Sequence, residues 1–151
     1  MPTLYTVTYQ LGSAFQGNST SIVNVAPATV SVSPSLPREP QPPYVAADPA
    51  NGATAIKVVG SQAFNIVVLD AVGSTNTLYP VGIAVQNPAV RQRPTAVFPS
   101  ATVQPTTPPS LQLSDEAGND ATGTSYEFVL LFQDSFGFIG TLDPRIINDE
   151  I

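Results

Sequence analysis

Two aspartate–proline bonds, Asp48-Pro49 and Asp143-Pro144, carry the least ordinary chemistry of this chain. An aspartate before proline can turn its carboxylate on its own carbonyl, or activate a water against it, and the imide nitrogen of proline leaves more readily than an amide. This is intramolecular nucleophilic or general-base catalysis. It depends on pre-organisation and on a second acid that protonates the leaving nitrogen. Glu39-Pro40 is a weaker analogue. The alternative for each dipeptide is that it sets a turn.

Little else in the chain can react. Among 151 residues there is no histidine and no cysteine, which removes disulfides, thiolate and imidazole zinc sites, and the Ser-His and Cys-His nucleophile pairs. What remains is carried by carboxylates, one lysine and the backbone. Lys57, in Thr54-Ala-Ile-Lys57-Val-Val, is the candidate for an isopeptide cross-link, which needs a desolvated, neutral amine; its plainer role is a charge that discourages strand-edge pairing. Asp115, Asn119 and Asp120 cluster around a glycine as a hard cation requires, although not in an EF-hand loop, and they serve equally as a solvated turn. No cofactor is expected. Asn18-Ser19-Thr20 matches a glycosylation acceptor, and Arg91 with Arg93 could grip a carboxylate of the acidic tail.

The net charge of -6 is unevenly spread. Residues 1–37 hold no charged side chain, residues 38–114 hold four bases against three acids, and residues 115–151 hold eight acids against Arg145 alone. Such asymmetry suits head-to-tail contacts between copies, or simply a solvated acidic face. It argues against nucleic acid as a partner, which needs clustered Lys and Arg. The N-terminus lacks the basic and apolar regions of a secretory signal, and no stretch reaches the roughly 18 apolar residues of a membrane helix, so a soluble protein is expected without a stated compartment.

The elements that must position these residues read as strands. Thr3 to Leu11 alternates with a period of two, Ser21–Val25 and Ala28–Ser33 follow, and Tyr126 to Gln133 places Tyr126, Phe128, Leu130 and Phe132 on one face. Five prolines between Pro34 and Pro43 exclude a ladder and predict an extended crossing from one sheet to the other. Asn51-Gly52 signals a turn, and Gly60-Ser61 between Ala53–Val59 and Ala63–Val72 predicts a hairpin. Leu78–Gln86, Val90–Phe98, Ser110–Leu113 and Phe136–Leu142 complete eight to ten short strands. The fold class is all-β: a single β-sandwich spanning residues 1–151, immunoglobulin-like or jelly-roll-like.

The stretch Phe128-Val-Leu-Leu-Phe-Gln-Asp134, then Phe136-Gly-Phe, then Leu142-Asp143-Pro144-Arg-Ile-Ile-Asn148-Asp149 resembles the end of the DP-EP family of small bacterial β-sandwich proteins. That family is named for acidic-residue–proline pairs, and a member cleaves its own chain near the C-terminus and joins a lysine to the aspartate at the break. The resemblance covers roughly the last 25 residues. It implies that Asp143 is the scissile aspartate and that Pro144 begins a released segment running to Ile151; Asp134 and Asp149 are the candidate assisting acids for such a cut. Lysine is absent from that stretch, so a cross-link would come from Lys57 on a different strand.

Three function classes follow. The first is a structural protein that associates with itself through the uncharged N-terminal strand region and the acidic C-terminal segment, as a subunit of a filament, fibre or virion surface. The second is a self-processing β-sandwich acting at Asp143-Pro144. The third is an adhesin-like binding module presenting loops such as Thr102 to Pro109, for a ligand that the residues do not identify.

Overall fold

β-Branched and aromatic residues at alternate positions build the longer strands of the computed structural model, which describes residues 3–86, 98–119 and 123–149. The Arg91/Arg93 pair, most of the strand expected over Val90–Phe98, and Asp120 lie outside the described residues. Twelve strands are present among those described: β1 (Thr6–Leu11), β2 (Val23–Asn24), β3 (Pro27–Ser33), β4 (Tyr44–Ala47), β5 (Ile56–Val59), β6 (Gln62–Leu69), β7 (Tyr79–Gln86), β8 (Ala101–Gln104), β9 (Ser110–Asp115), β10 (Thr124–Gln133), β11 (Ile139–Leu142) and β12 (Arg145–Asp149). They form two packed sheets, the all-β sandwich that the patterning predicts. The count exceeds eight to ten because β4, β8 and β12 are too short or too close to proline to announce themselves by alternation.

One sheet runs β3-β1-β6-β9-β8. The other is organised around β10, which pairs β7 on one side and both β11 and β12 on the other; β2 then flanks β11, while β5 and β4 flank β12. Each sheet contains a parallel pair of distant strands, Thr6 opposite Asn65 in β1–β6 and Ile56 opposite Ile146 in β5–β12. Residues 34–43 carry no strand and link β3 in one sheet to β4 in the other, the crossing expected of the proline run.

Gly60-Ser61 does not make a hairpin. β5 and β6 belong to different sheets, and Gly60, at a φ of +77°, turns the chain from one layer to the other. The antiparallel hairpin lies one strand earlier: β4 and β5 pair around the Asn51-Gly52 turn, which Asp48 N–H closes onto the Ala55 carbonyl at 2.8 Å.

The inward positions of both sheets merge into one buried cluster. Tyr126, Phe128, Leu130 and Phe132 of β10 all face it, as their alternation predicts. Each such side chain contributes roughly 1.5–3 kcal/mol by leaving water. Gly140 of β11 has no room for a Cβ, because the rings of Phe15 and Phe132 meet edge-on there at 4.9 Å. Tyr9 lies fully buried with its ring 6.2 Å from that of Phe128, and its hydroxyl finds no hydrogen-bond partner among the described residues.

The described acids of the acidic segment are divided between interior and solvent. Asp115, Asp134 and Asp149 are buried, whereas Glu127 and Asp143 are exposed. Strand β12 runs through the interior of its sheet and buries Ile146, Ile147 and Asn148.

Candidate functional site

The two Asp-Pro bonds occupy opposite kinds of structure. Asp48-Pro49 sets a turn: Pro49 opens a single 3-10 turn over Pro49–Asn51, and the Asp48 carboxylate accepts the Asn51 amide at 2.8 Å. Asp143-Pro144 lies within a strand. β11 pairs with the second half of β10 and β12 with the first half, from Leu130–Leu142 to Gln133–Ile139 and from Thr124–Asn148 to Glu127–Arg145. The register is the same on both sides, so β11 and β12 are one strand whose ladder lapses at the proline. Asp143 and Pro144 therefore stand opposite Val129 and Phe128, and the Phe128 N–H donates to the Pro144 carbonyl at 3.2 Å.

The other edge of this strand changes neighbour at the same place. β2 flanks Gly140 and Thr141, whereas β5 takes over from Ile146. Between them a cleft of about 400 Å³ opens, lined by Asn24, Pro27, Thr54 and Asp143. Pro144 is buried and Asp143 exposed, because a strand alternates its faces. On the outer face Asp143 shares a depression of about 620 Å³ with Val129 and with the Arg145–Glu127 ion pair, whose charges are 3.9 Å apart and well exposed.

Neither assisting acid stands at this bond. Asp134 lies five residues beyond Val129 along β10, roughly 17 Å away at the usual rise per residue, and Asp149 lies six residues beyond Asp143, roughly 20 Å away. Asp134 braces a turn: its Oδ1 accepts the backbone N–H groups of Phe136 at 3.0 Å and Phe138 at 2.9 Å. Asp149 accepts the Gly123 N–H at 2.7 Å through Oδ1 and pairs with Lys57 through Oδ2 at 3.0 Å.

The Lys57–Asp149 contact joins the cross-link candidate to an acid named for a different task. The hydrogen bond that Lys57 donates to Asp149 holds its amine above the ordinary lysine pKa, and the opposing effect of burial is smaller. An amine held protonated is no nucleophile, and the Lys57 side chain is 39% exposed rather than desolvated.

Asp115 is buried, and its Oδ1 accepts the Asn148 side-chain amide at 2.8 Å. It thus ties β9 of one sheet to β12 of the other. No group of three or more acidic side chains suited to a metal ion occurs among the described residues.

Two features escape a reading of the sequence. The first is Asp70, buried just after β6, whose Oδ1 accepts the N–H groups of Phe15 and Ala71, both at 2.8 Å. Its Oδ2 accepts the Ser74 hydroxyl at 2.8 Å and the Asn76 amide at 3.1 Å. Burial pushes this carboxyl upward, but the four hydrogen bonds reverse the effect and leave it below the ordinary carboxylate pKa. The Ser74 and Asn76 spacing is a local signal for such a turn; the bond to Phe15 has none. The second is Phe136, whose side chain is 79% exposed beside the loop that holds Asn18.

The loop expected over Thr102–Pro109 is partly strand, since β8 extends to Gln104. No helix among the described residues is long and apolar enough to cross a membrane. Neither the family models nor the curated proteins compared with the chain match it.

Proposed function

We propose that this protein is a structural β-sandwich that associates with copies of itself, as a subunit of a filament, fibre or virion surface. The observation that carries this reading is β3. It ends the order of its sheet, is seven residues long, and has no charged side chain. Edge strands of proteins that stay apart are shortened, charged, interrupted by proline or covered. In β3 proline stands only at the first position, so the outward N–H and C=O groups from Thr29 onward can extend a ladder into a second molecule.

This reading moves the contact within the uncharged region. β1 already has β3 on one side and β6 on the other, so its edges are filled, whereas β3 has no ladder partner on its outer side among the described residues. The acidic segment is a weaker contact, because three of its acids are spent on internal hydrogen bonds. Self-cleavage at Asp143-Pro144 ranks below assembly, since Asp134 and Asp149 stand far along the sheet and serve other groups.

Sedimentation velocity with electron microscopy tests the proposal. The wild type is expected to assemble at micromolar concentration. Ser31→Lys, which puts a charge on an exposed position of β3, is expected to be monomeric with an unchanged melting temperature. A wild type that is monomeric at every concentration overturns the reading, as does a Ser31→Lys variant that assembles normally.

A further inference from the structure

The turn between β10 and β11 is more tightly built than a solvent-facing connection requires. Asp134 N–H donates to the Phe138 carbonyl at 3.0 Å, Gly137 N–H donates to the Asp134 carbonyl at 3.1 Å, and the Gln133 amide caps the Gly137 carbonyl at 3.1 Å. With the two bonds to the Asp134 carboxylate, five hydrogen bonds fix five residues. Gly137, at a φ of +93°, completes the reversal. This rigid support holds the Phe136 ring out in water, where it gains nothing for the fold.

Phe138 lies beside it, with the ring centroids 6.5 Å apart and the planes inclined by 35°. Gly17 lacks the Cβ that would collide with Phe138, so the ring rests against the neighbouring loop. That loop has its own brace, because Asn18 Oδ1 accepts both the N–H and the hydroxyl of Thr20, at 2.9 and 2.8 Å. The two segments enclose an open groove of about 520 Å³. The 136–139 segment lines it with Phe136, Phe138 and Ile139, and the 18–22 segment with the amide and hydroxyl groups of Asn18, Ser19 and Thr20 and with Ile22.

We propose that this groove binds a neutral carbohydrate. A sugar ring has an apolar C–H face that suits an aromatic ring, whose face carries partial negative charge, and a rim of hydroxyls that suits short amide and hydroxyl side chains. The lining contains no charged residue, so nothing in it selects an acidic or basic ligand. A ring already held in place loses little entropy on binding, and such pre-organisation is what the braced turn provides. The site is separate from the β3 edge and does not depend on self-association.

The test is a two-dimensional amide NMR titration of the whole protein, made in the Ser31→Lys background as well, with neutral oligosaccharides of glucose, mannose, galactose and N-acetylglucosamine. At least one of them at millimolar concentration is expected to shift residues 18–22 and 136–139 and to leave the remaining signals in place. Phe136→Ala should weaken that binding by about tenfold or more without altering the rest of the spectrum, because the side chain is outside the core. Phe136→Tyr, which keeps the ring, should retain it. The proposal fails if no neutral oligosaccharide shifts these residues. It fails also if raising the protein concentration alone shifts them, for then a second copy covers the groove. Binding retained by Ser31→Lys separates this result from the fate of the assembly model.

Discussion

The ammonium group of Lys57 lies 3.0 Å from the carboxylate of Asp149, across the parallel pair of β5 and β12. The contact ties together two strands with about ninety residues of chain between them, and it gives the lysine an ion-pair partner.

An intact mass equal to that of the unmodified chain is therefore expected, with no loss of the water that an isopeptide would release. The energetic share of the pair is small: Lys57 is partly exposed, and Lys57→Met should cost under about 1 kcal/mol. Because the folded pKa is raised, the contribution is fully present below the unfolded lysine value, near 10.4, and fades as pH rises through the folded value. Urea midpoints of wild type and variant should accordingly converge in strong alkali. A mass lower by one water would overturn this account.

Asp70 behaves in the opposite sense. Its folded pKa is depressed, so its stabilisation is present above the unfolded aspartate value of about 3.9 and is lost as pH falls through the folded value. Asp70→Asn should cost about 2–3 kcal/mol at neutral pH, because a charged acceptor of four bonds is replaced by a neutral group that can accept at only one atom. The difference should shrink near pH 3. A pH-independent cost, read from denaturant curves, would mean that shape rather than charge matters at this position.

Tyr9 buries a hydroxyl without a partner among the described residues, and burial pushes its pKa up. Removing that hydroxyl deletes a desolvation cost and leaves the ring packing intact. Tyr9→Phe is thus expected to match or exceed the wild type, by up to about 1 kcal/mol, in thermal unfolding. A lower melting temperature would reveal a partner for the hydroxyl. In an alkaline ultraviolet titration this tyrosine should ionise only as the protein unfolds.

Cleavage at Asp143-Pro144, should it occur under acid or long storage, would leave β12 in place. Its residues keep their antiparallel ladder to β10 and their parallel ladder to β5, with Ile146 and Ile147 in the core. A cut chain should migrate as two pieces under denaturing conditions and as one particle in native size exclusion. Asp143→Ala should abolish any cut while changing stability little, since the side chain is exposed. Spontaneous loss of the segment from native protein would contradict this register.

Alternation made β10 and the general fold class legible, and proline density located the crossing at 34–43, because both are local properties of the chain. What depends on partners was hidden. A glycine such as Gly60 announces a change of direction without saying whether the chain stays in its sheet. Freedom from charge marked residues 1–37 but could not tell that β1 has neighbours on both sides while β3 has one. Asp48-Pro49 and Asp143-Pro144 are the same dipeptide, yet one starts a turn and the other continues a strand, a choice made by Thr124–Gln133 rather than by the dipeptide. Asp115 was read with its neighbours in sequence, whereas its described partner is Asn148 in the opposite sheet.

The placement of β12 also governs the order in which the molecule can form. Among the described strands the β4–β5 hairpin meets the rest of its sheet only through β12, so the layer cannot close until the chain has reached residues 145–149. Loop-closure entropy must be met before such distant pairings contribute, which predicts slow folding in the range of milliseconds to seconds. A nascent chain would meanwhile hold the facing ladder edges of β5 and β10 unpaired. The moment of greatest exposure to aggregation thus precedes the last strand, and a chaperone that acts on this protein has its task there.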